Sequence, residues 1–231
     1  MTIRNLVVFA TATLLVACSA ATETAQTKTA DAAKTVAKVA SDATTKVAGE
    51  VEQRGADMST LPAGTYKSEQ GHAYVAFKYD HQGFSNPILR WGTTDATVVF
   101  DQENPENSTL TVRLPTADID SGVPKFDDHL KSEGFFDSAN YPDITFVSTD
   151  ITQIRDGYGT ITGELTIKDV TKPFTLTGKV NKVGKHFSSG VDMFGVSATG
   201  KLKRADFGVD KYMPVGADVD IMIEVEFQKA E

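Results

Sequence analysis

Cysteine is nearly absent. The 231-residue chain has one, Cys18, so no intramolecular disulfide can brace the fold and its stability must come from a buried core. Basic runs are absent as well. Acidic residues outnumber basic ones, 31 to 23, for a formal net charge of -8, so nucleic acid, which needs a positive surface, is not an expected partner. Beyond the N-terminus no segment stays apolar for the ~20 residues a membrane-spanning helix needs. His72, His81, His129 and His186 stand at no recognisable ligand spacing, so no metal is expected. Neither a Gly-x-Ser-x-Gly elbow nor a glycine-rich phosphate loop occurs, and no cofactor is implied.

What is present begins with an export signal. Arg4 supplies a positive start, residues 6–16 are apolar apart from Thr11 and Thr13, and small residues follow. This is the layout of a cleaved signal peptide. Leu15-Val16-Ala17-Cys18 places the lone thiol at the cut and resembles the lipobox of bacterial lipoproteins, in which the cysteine is acylated. An ordinary secretory signal is the competing reading. The resemblance implies a signal over residues 1–17, lipid attachment at Cys18, and anchoring on the periplasmic side of the envelope. Ser19, being other than Asp, implies the outer membrane.

Residues 18–60 are rich in Ala, Thr, Lys and Val and carry no aromatic residue. Val36, Val39, Ala43, Val47 and Val51 recur at helical spacing, but an Ala/Val face is too thin to offset the ordering entropy. This segment is expected to be a tether, with a transient or partner-binding helix as the competing reading.

Residues 61–231 form one domain of ordinary size, and alternation of period two dominates it. Val75, Phe77 and Tyr79 share a face, as do Leu110, Val112 and Leu114, and Ile161, Leu165 and Ile167. Val219, Ile221, Ile223, Val225 and Phe227 repeat the pattern at the C-terminal end. One apolar and one polar face per strand predicts an all-β, antiparallel barrel or strongly curved sandwich. Asp156-Gly157, Asp169 to Pro173, and Val183-Gly184-Lys185 are expected to turn. Gly163, Gly178, Ala198 and Gly200 fall in phase with inward residues, so they mark either bends or unfilled volume.

Asp127-Asp128-His129 is the densest group of functional side chains. With Pro124 opening a short helix, both carboxylates would favour its positive N-terminal end, while Phe126 and Leu130 form an apolar face. A helix-capping role is expected rather than a catalytic or metal-binding one. Arg204-Ala205-Asp206 is expected to form a local ion pair.

These segments together resemble the YceI-like family of exported polyisoprenoid-binding proteins. The resemblance rests on residues 72–77 with His81-Gln82-Gly83, and on residues 127–132 followed by Phe135-Phe136-Asp137 and Tyr141-Pro142. Residues 162–167, Val170-Thr171-Lys172-Pro173 and residues 204–208 follow in order. Gly134 departs from it, standing where the family commonly has an acidic residue, and residues 84–91 replace the usual loop with an apolar one. The resemblance implies a lipocalin-like β-barrel with a short helix between strands, binding an isoprenoid chain of quinone or polyprenyl type. It implies no catalytic residues. The cavity residues expected are Phe77, Tyr79, Phe100, Val112, Phe135, Phe136, Phe146, Ile161, Gly163, Leu165, Leu176, Phe194, Val196, Ile223 and Val225. A structural or stress-related envelope lipoprotein with a filled barrel, or a lipid-acting hydrolase using His129 or His81, is the alternative. The expected partners are the amphiphile and the membrane, with dimerisation through strand edges left open.

Overall fold

The computed structural model describes residues 55–155 and 157–230. The expected signal, Cys18 and nearly all of the tether lie outside the described residues.

Ten strands follow in chain order: β1 (Gly64–Tyr79), β2 (Ile88–Trp91), β3 (Asp95–Phe100), β4 (Thr109–Pro115), β5 (Ile119–Asp120), β6 (Asp143–Arg155), β7 (Tyr158–Ile167), β8 (Val170–Lys185), β9 (Asp192–Lys203) and β10 (Asp218–Lys229). One helix, α1 (Pro124–Lys131), lies between β5 and β6. Pairing runs β1-β3-β4-β6-β7-β8-β9-β10 and returns from β10 to β1, closing an antiparallel barrel of 8 strands. Of the barrel and curved sandwich that the alternation allows, the fold is the all-β barrel, in the lipocalin-like form that the resemblance implies. Closure removes the sheet edges that an open meander would expose.

The strand phases explain the enclosure. Val75 pairs with Ile223 and Phe77 with Ile221 across the β1–β10 seam. Across the β4–β6 pair, Val112 faces Phe146 and Leu114 faces Ile144. Each of these residues turns inward because side chains on a strand alternate faces. The outer faces carry cross-strand ion pairs such as Lys201–Asp220 and Arg113–Asp143, which contribute little because water screens them.

β1 changes partner along its length. Its first residues pair with β3 and its later ones with β2. Where the ladder parts, side chains replace it: the Ser68 hydroxyl donates to the Thr94 carbonyl at 2.7 Å and accepts from the Ala96 amide at 2.9 Å. Ser148 does the same at the bulge in β6, accepting from the Leu110 amide at 2.8 Å. Buried backbone groups must be paired, and these hydroxyls meet that requirement where strand geometry fails.

Two expected turns are strand instead. Val183, Gly184 and Lys185 belong to β8, where Gly184 pairs with Met193, and the reversal comes later, with Gly190 at φ 72°. Val170 to Pro173 likewise lie in β8, and the chain reverses through Lys168, at φ 57°, and Asp169. In both places continued ladder pairing outweighs the local turn preference of Gly and Pro. Residues 84–91, read as a loop, contain β2, whose Leu89 and Trp91 are buried.

Candidate functional site

The barrel interior is not filled. A cavity of about 670 Å³ occupies the half nearer α1, and a second of about 240 Å³ lies towards the opposite end. Val75, Val112, Leu176 and Ile223 border both. They come from β1, β4, β8 and β10 and form a waist between two apolar chambers.

The larger chamber is walled by Phe77, Trp91, Leu114, Ile144, Phe146, Leu165, Phe174 and Val219, among others. Trp91 packs on Phe77 at 5.1 Å between centroids and meets Phe136 edge-on at 5.9 Å. Its indole Nε1 is buried with no hydrogen-bond partner among the described residues. The smaller chamber ends against an aromatic floor, where Phe194 stacks on Phe227 at 5.0 Å and meets Tyr66 edge-on at 5.4 Å. Tyr66 is fully buried and its hydroxyl donates to the Pro62 carbonyl at 2.6 Å. Burial, with the Asp192 carboxylate as a lesser cause, pushes its pKa up to about 12. Residues 56–61 complete this end: the Ala56 amide donates to Val180, and Met58 and Leu61 pack on the core.

The expected cavity residues fall between the two chambers. Phe77, Tyr79, Phe135, Phe136, Phe146 and Leu165 border the larger one. Phe100, Ile161, Phe194, Val196 and Val225 border the smaller, while Val112, Leu176 and Ile223 belong to the waist. Gly163 borders neither. A Cβ there would come within 2.3 Å of the Val147 carbonyl oxygen and 2.6 Å of Phe146 Cζ. The missing side chain therefore seats the Phe146 ring rather than leaving open volume. Gly200 is filled similarly by Phe174 and Leu176, whereas Gly178 and Ala198 border the smaller chamber.

The mouth of the larger chamber is built by α1, the segment after it, and the loop between β9 and β10. Pro124 is the first helical residue, and no side chain caps the helix. Asp127 instead reaches back, accepting from the Ser121 amide at 2.7 Å and from its hydroxyl; Asp128 is exposed. The expected capping role is thus replaced by a tie to the preceding loop. Leu130 is buried, as expected of the helix's apolar face. The His129 imidazole lies among rings, 4.9 Å from Phe135 and stacked on Tyr212 at 5.9 Å. No cluster of three or more metal-ligating side chains occurs among the described residues.

Arg204 organises the opposite side. Rather than pairing with Asp206, its guanidinium donates to four carbonyls: Nε to Gly216 at 2.9 Å, Nη1 to Val209, and Nη2 to Lys211 at 2.8 Å and Val215 at 2.7 Å. Burial lowers its pKa, with Asp210 and Tyr79 opposing the shift. A guanidinium stays protonated even so. The loop it gathers presses Gly216, at φ 61°, onto Tyr79, where a Cβ would lie 2.7 Å from the ring. Trp91, Leu114, Ile144, Arg204, Lys211 and Tyr212 were not among the expected cavity residues. The alternation of Leu114 was a usable signal, but the contributions of the loop residues carried none.

A closed antiparallel barrel around an apolar, two-chambered interior defines the chain as a container-type β-barrel protein. Residues 66–227 match the model of the YceI-like domain, and the chain belongs to that family. It is 36% identical over 167 residues to Protein YceI of an Escherichia coli strain, covering 71% of this chain and 86% of the relative. The crystal structure of the Campylobacter jejuni YCEI protein superposes with a TM-score of 0.59 at 30% identity, over 66% of this chain and 90% of that one. A polyisoprenoid binding domain from Saccharophagus degradans shares the fold at 8% identity, with a TM-score of 0.56 over 73% of this chain and 100% of that one.

Proposed function

We propose that the protein binds a long-chain isoprenoid lipid of quinone or polyprenyl type in the barrel, for transport or storage. The observation that carries this reading is the pair of apolar chambers stacked along the barrel, with Val75, Val112, Leu176 and Ile223 bordering both. A single flexible tail is the shape that fits a narrow compartment of this kind. Each CH₂ transferred from water contributes about 0.8 kcal/mol, so a tail of several isoprene units needs no charged contact to bind. The polyisoprenoid-binding barrel of Saccharophagus degradans, with the same fold, agrees with this choice. A barrel of this size filled by its own side chains would lack such volumes, which disfavours a purely structural role.

In this reading the protein is a binding protein rather than an enzyme, since its interior offers a solvent for hydrocarbon. It is held on the periplasmic side of the envelope by a lipid on Cys18, with residues 18–60 as the tether. Native mass spectrometry of protein purified from its host tests the reading. A co-purified lipid, released only on denaturation and identified as an isoprenoid, supports it. A persistently empty barrel that also rejects added long-chain quinones would sink it.

A further inference from the structure

The ionisable side chains bordering the larger chamber are biased in sign. His81, His129, Arg204 and Lys211 line it, together with tyrosines, but no Asp or Glu does. In a chain with 31 acidic residues and 23 basic ones, the surface as a whole has the opposite bias. The basic groups also sit where the chamber meets water. Tyr212 and Met213 in its wall are 62% and 41% exposed, and Lys211 precedes them directly. The hydrocarbon walls lie below.

Lys211 differs from Arg204 in being uncommitted. The guanidinium is saturated by backbone carbonyls, whereas the half-buried Lys211 ammonium lies 5.4 Å from the centroid of the Tyr212 ring. It forms no ion pair with a carboxylate among the described residues. Its stem crosses Gly134, where a Cβ would meet Cδ at 2.5 Å and Nζ at 2.8 Å. Glycine at this position admits the lysine and supplies no counter-charge. A cation without a carboxylate partner at the rim of an apolar chamber is complementary to an oxyanion arriving on an apolar tail.

We propose that the mouth recognises an anionic head group, carboxylate or phosphate, on a long-chain amphiphile, with Lys211 as the principal charged contact. This rests on the lipid-binding reading above and narrows it, favouring a polyprenyl chain with a charged head over a neutral quinone.

The test uses the exported full chain carrying Cys18→Ser, stripped of lipid and titrated with geranylgeranyl phosphate, geranylgeranoic acid and geranylgeraniol. These share one tail, and Trp91, the only tryptophan, reports occupancy from the chamber wall. The phosphate and the acid are expected to bind about tenfold or more tighter than the alcohol, the range of a charge-assisted hydrogen bond. Lys211→Met and Gly134→Asp should bring that ratio close to one. Lys201→Met, which removes a cation paired with Asp220 on the outer face, should preserve it. Equal binding of all three ligands, or a ratio that survives Lys211→Met, overturns the head-group assignment and leaves the lipid reading standing. An acid that behaves like the alcohol also overturns it. Displacement by millimolar inorganic phosphate alone would mean a free-anion site and likewise overturn it. If none of the three ligands binds, the lipid reading itself fails.

Discussion

The ring of Phe146 rests on the bare Cα of Gly163 in the neighbouring strand, two residues from its register partner Leu165, where a Cβ would lie 2.6 Å from Cζ. One aromatic wall residue of the larger chamber thus owes its place to a missing side chain. Gly163→Val should displace the ring and strain the β6 bulge, costing about 1–3 kcal/mol as other overpacked cores do. Urea denaturation measures the loss, and a displaced Phe146 should weaken lipid binding alongside it. Unchanged stability would mean that the ring has room to move.

The waist makes a length-dependent prediction. Val112→Phe adds bulk between the chambers without touching the mouth. Tails short enough to stay in the larger chamber should bind nearly as before. Longer tails should lose the gain from each further buried CH₂, about 0.8 kcal/mol apiece. Affinity plotted against chain length would therefore reach its plateau earlier in the variant. Parallel curves would show that the smaller chamber takes no part.

Arg204 makes four carbonyl bonds that no other side chain could reproduce. Arg204→Met leaves those acceptors without a donor, and the expected cost is about 2–4 kcal/mol, near the upper range for buried unsatisfied groups. Arg204→Lys should recover little, because an ammonium lacks the planar fork. Full rescue by lysine would argue that charge rather than geometry holds the loop.

Tyr66 sets an alkaline limit. Its phenol titrates near 12 in the folded protein and near 10 when unfolded. The folded state therefore keeps the proton when the unfolded state has lost it, and stability falls as pH rises. The loss begins near pH 10, is complete near pH 12, and amounts to about 2–3 kcal/mol. Burial raises the pKa of Tyr79 as well, which adds in the same direction. Chemical denaturation at a series of pH values from 9 to 12 should show the decline, and Tyr66→Phe should flatten much of it. The variant should also be less stable at neutral pH, having lost the bond to Pro62.

The barrel was legible because alternation is a local property: Val75, Phe77 and Tyr79 face inward whatever encloses them. Whether inward residues touch each other or line a void depends on barrel radius, which no single strand encodes. Gly163 illustrates the gap, since a glycine in phase with the core reads equally as space or as a seat for a ring. Trp91 was harder still, because β2 has only four residues and too few alternations to separate it from a loop. Arg204 stood out only as a candidate partner for Asp206, because its actual acceptors are backbone carbonyls that any sequence supplies. Lys211, His129 and His81 lie far apart in the chain, and only the closed fold gathers them around one opening.

The seam between β1 and β10 ties the first strand of the barrel to the last. Until Asp218–Lys229 has been delivered, the remaining strands are an open sheet with a greasy face and two unpaired borders. Such long-range closure is slow compared with hairpin formation. The vessel therefore comes into being only when β10 has paired with β1, and cargo can be enclosed only after that strand has arrived. Until that pairing, the apolar face and free borders of the half-built wall are open to aggregation.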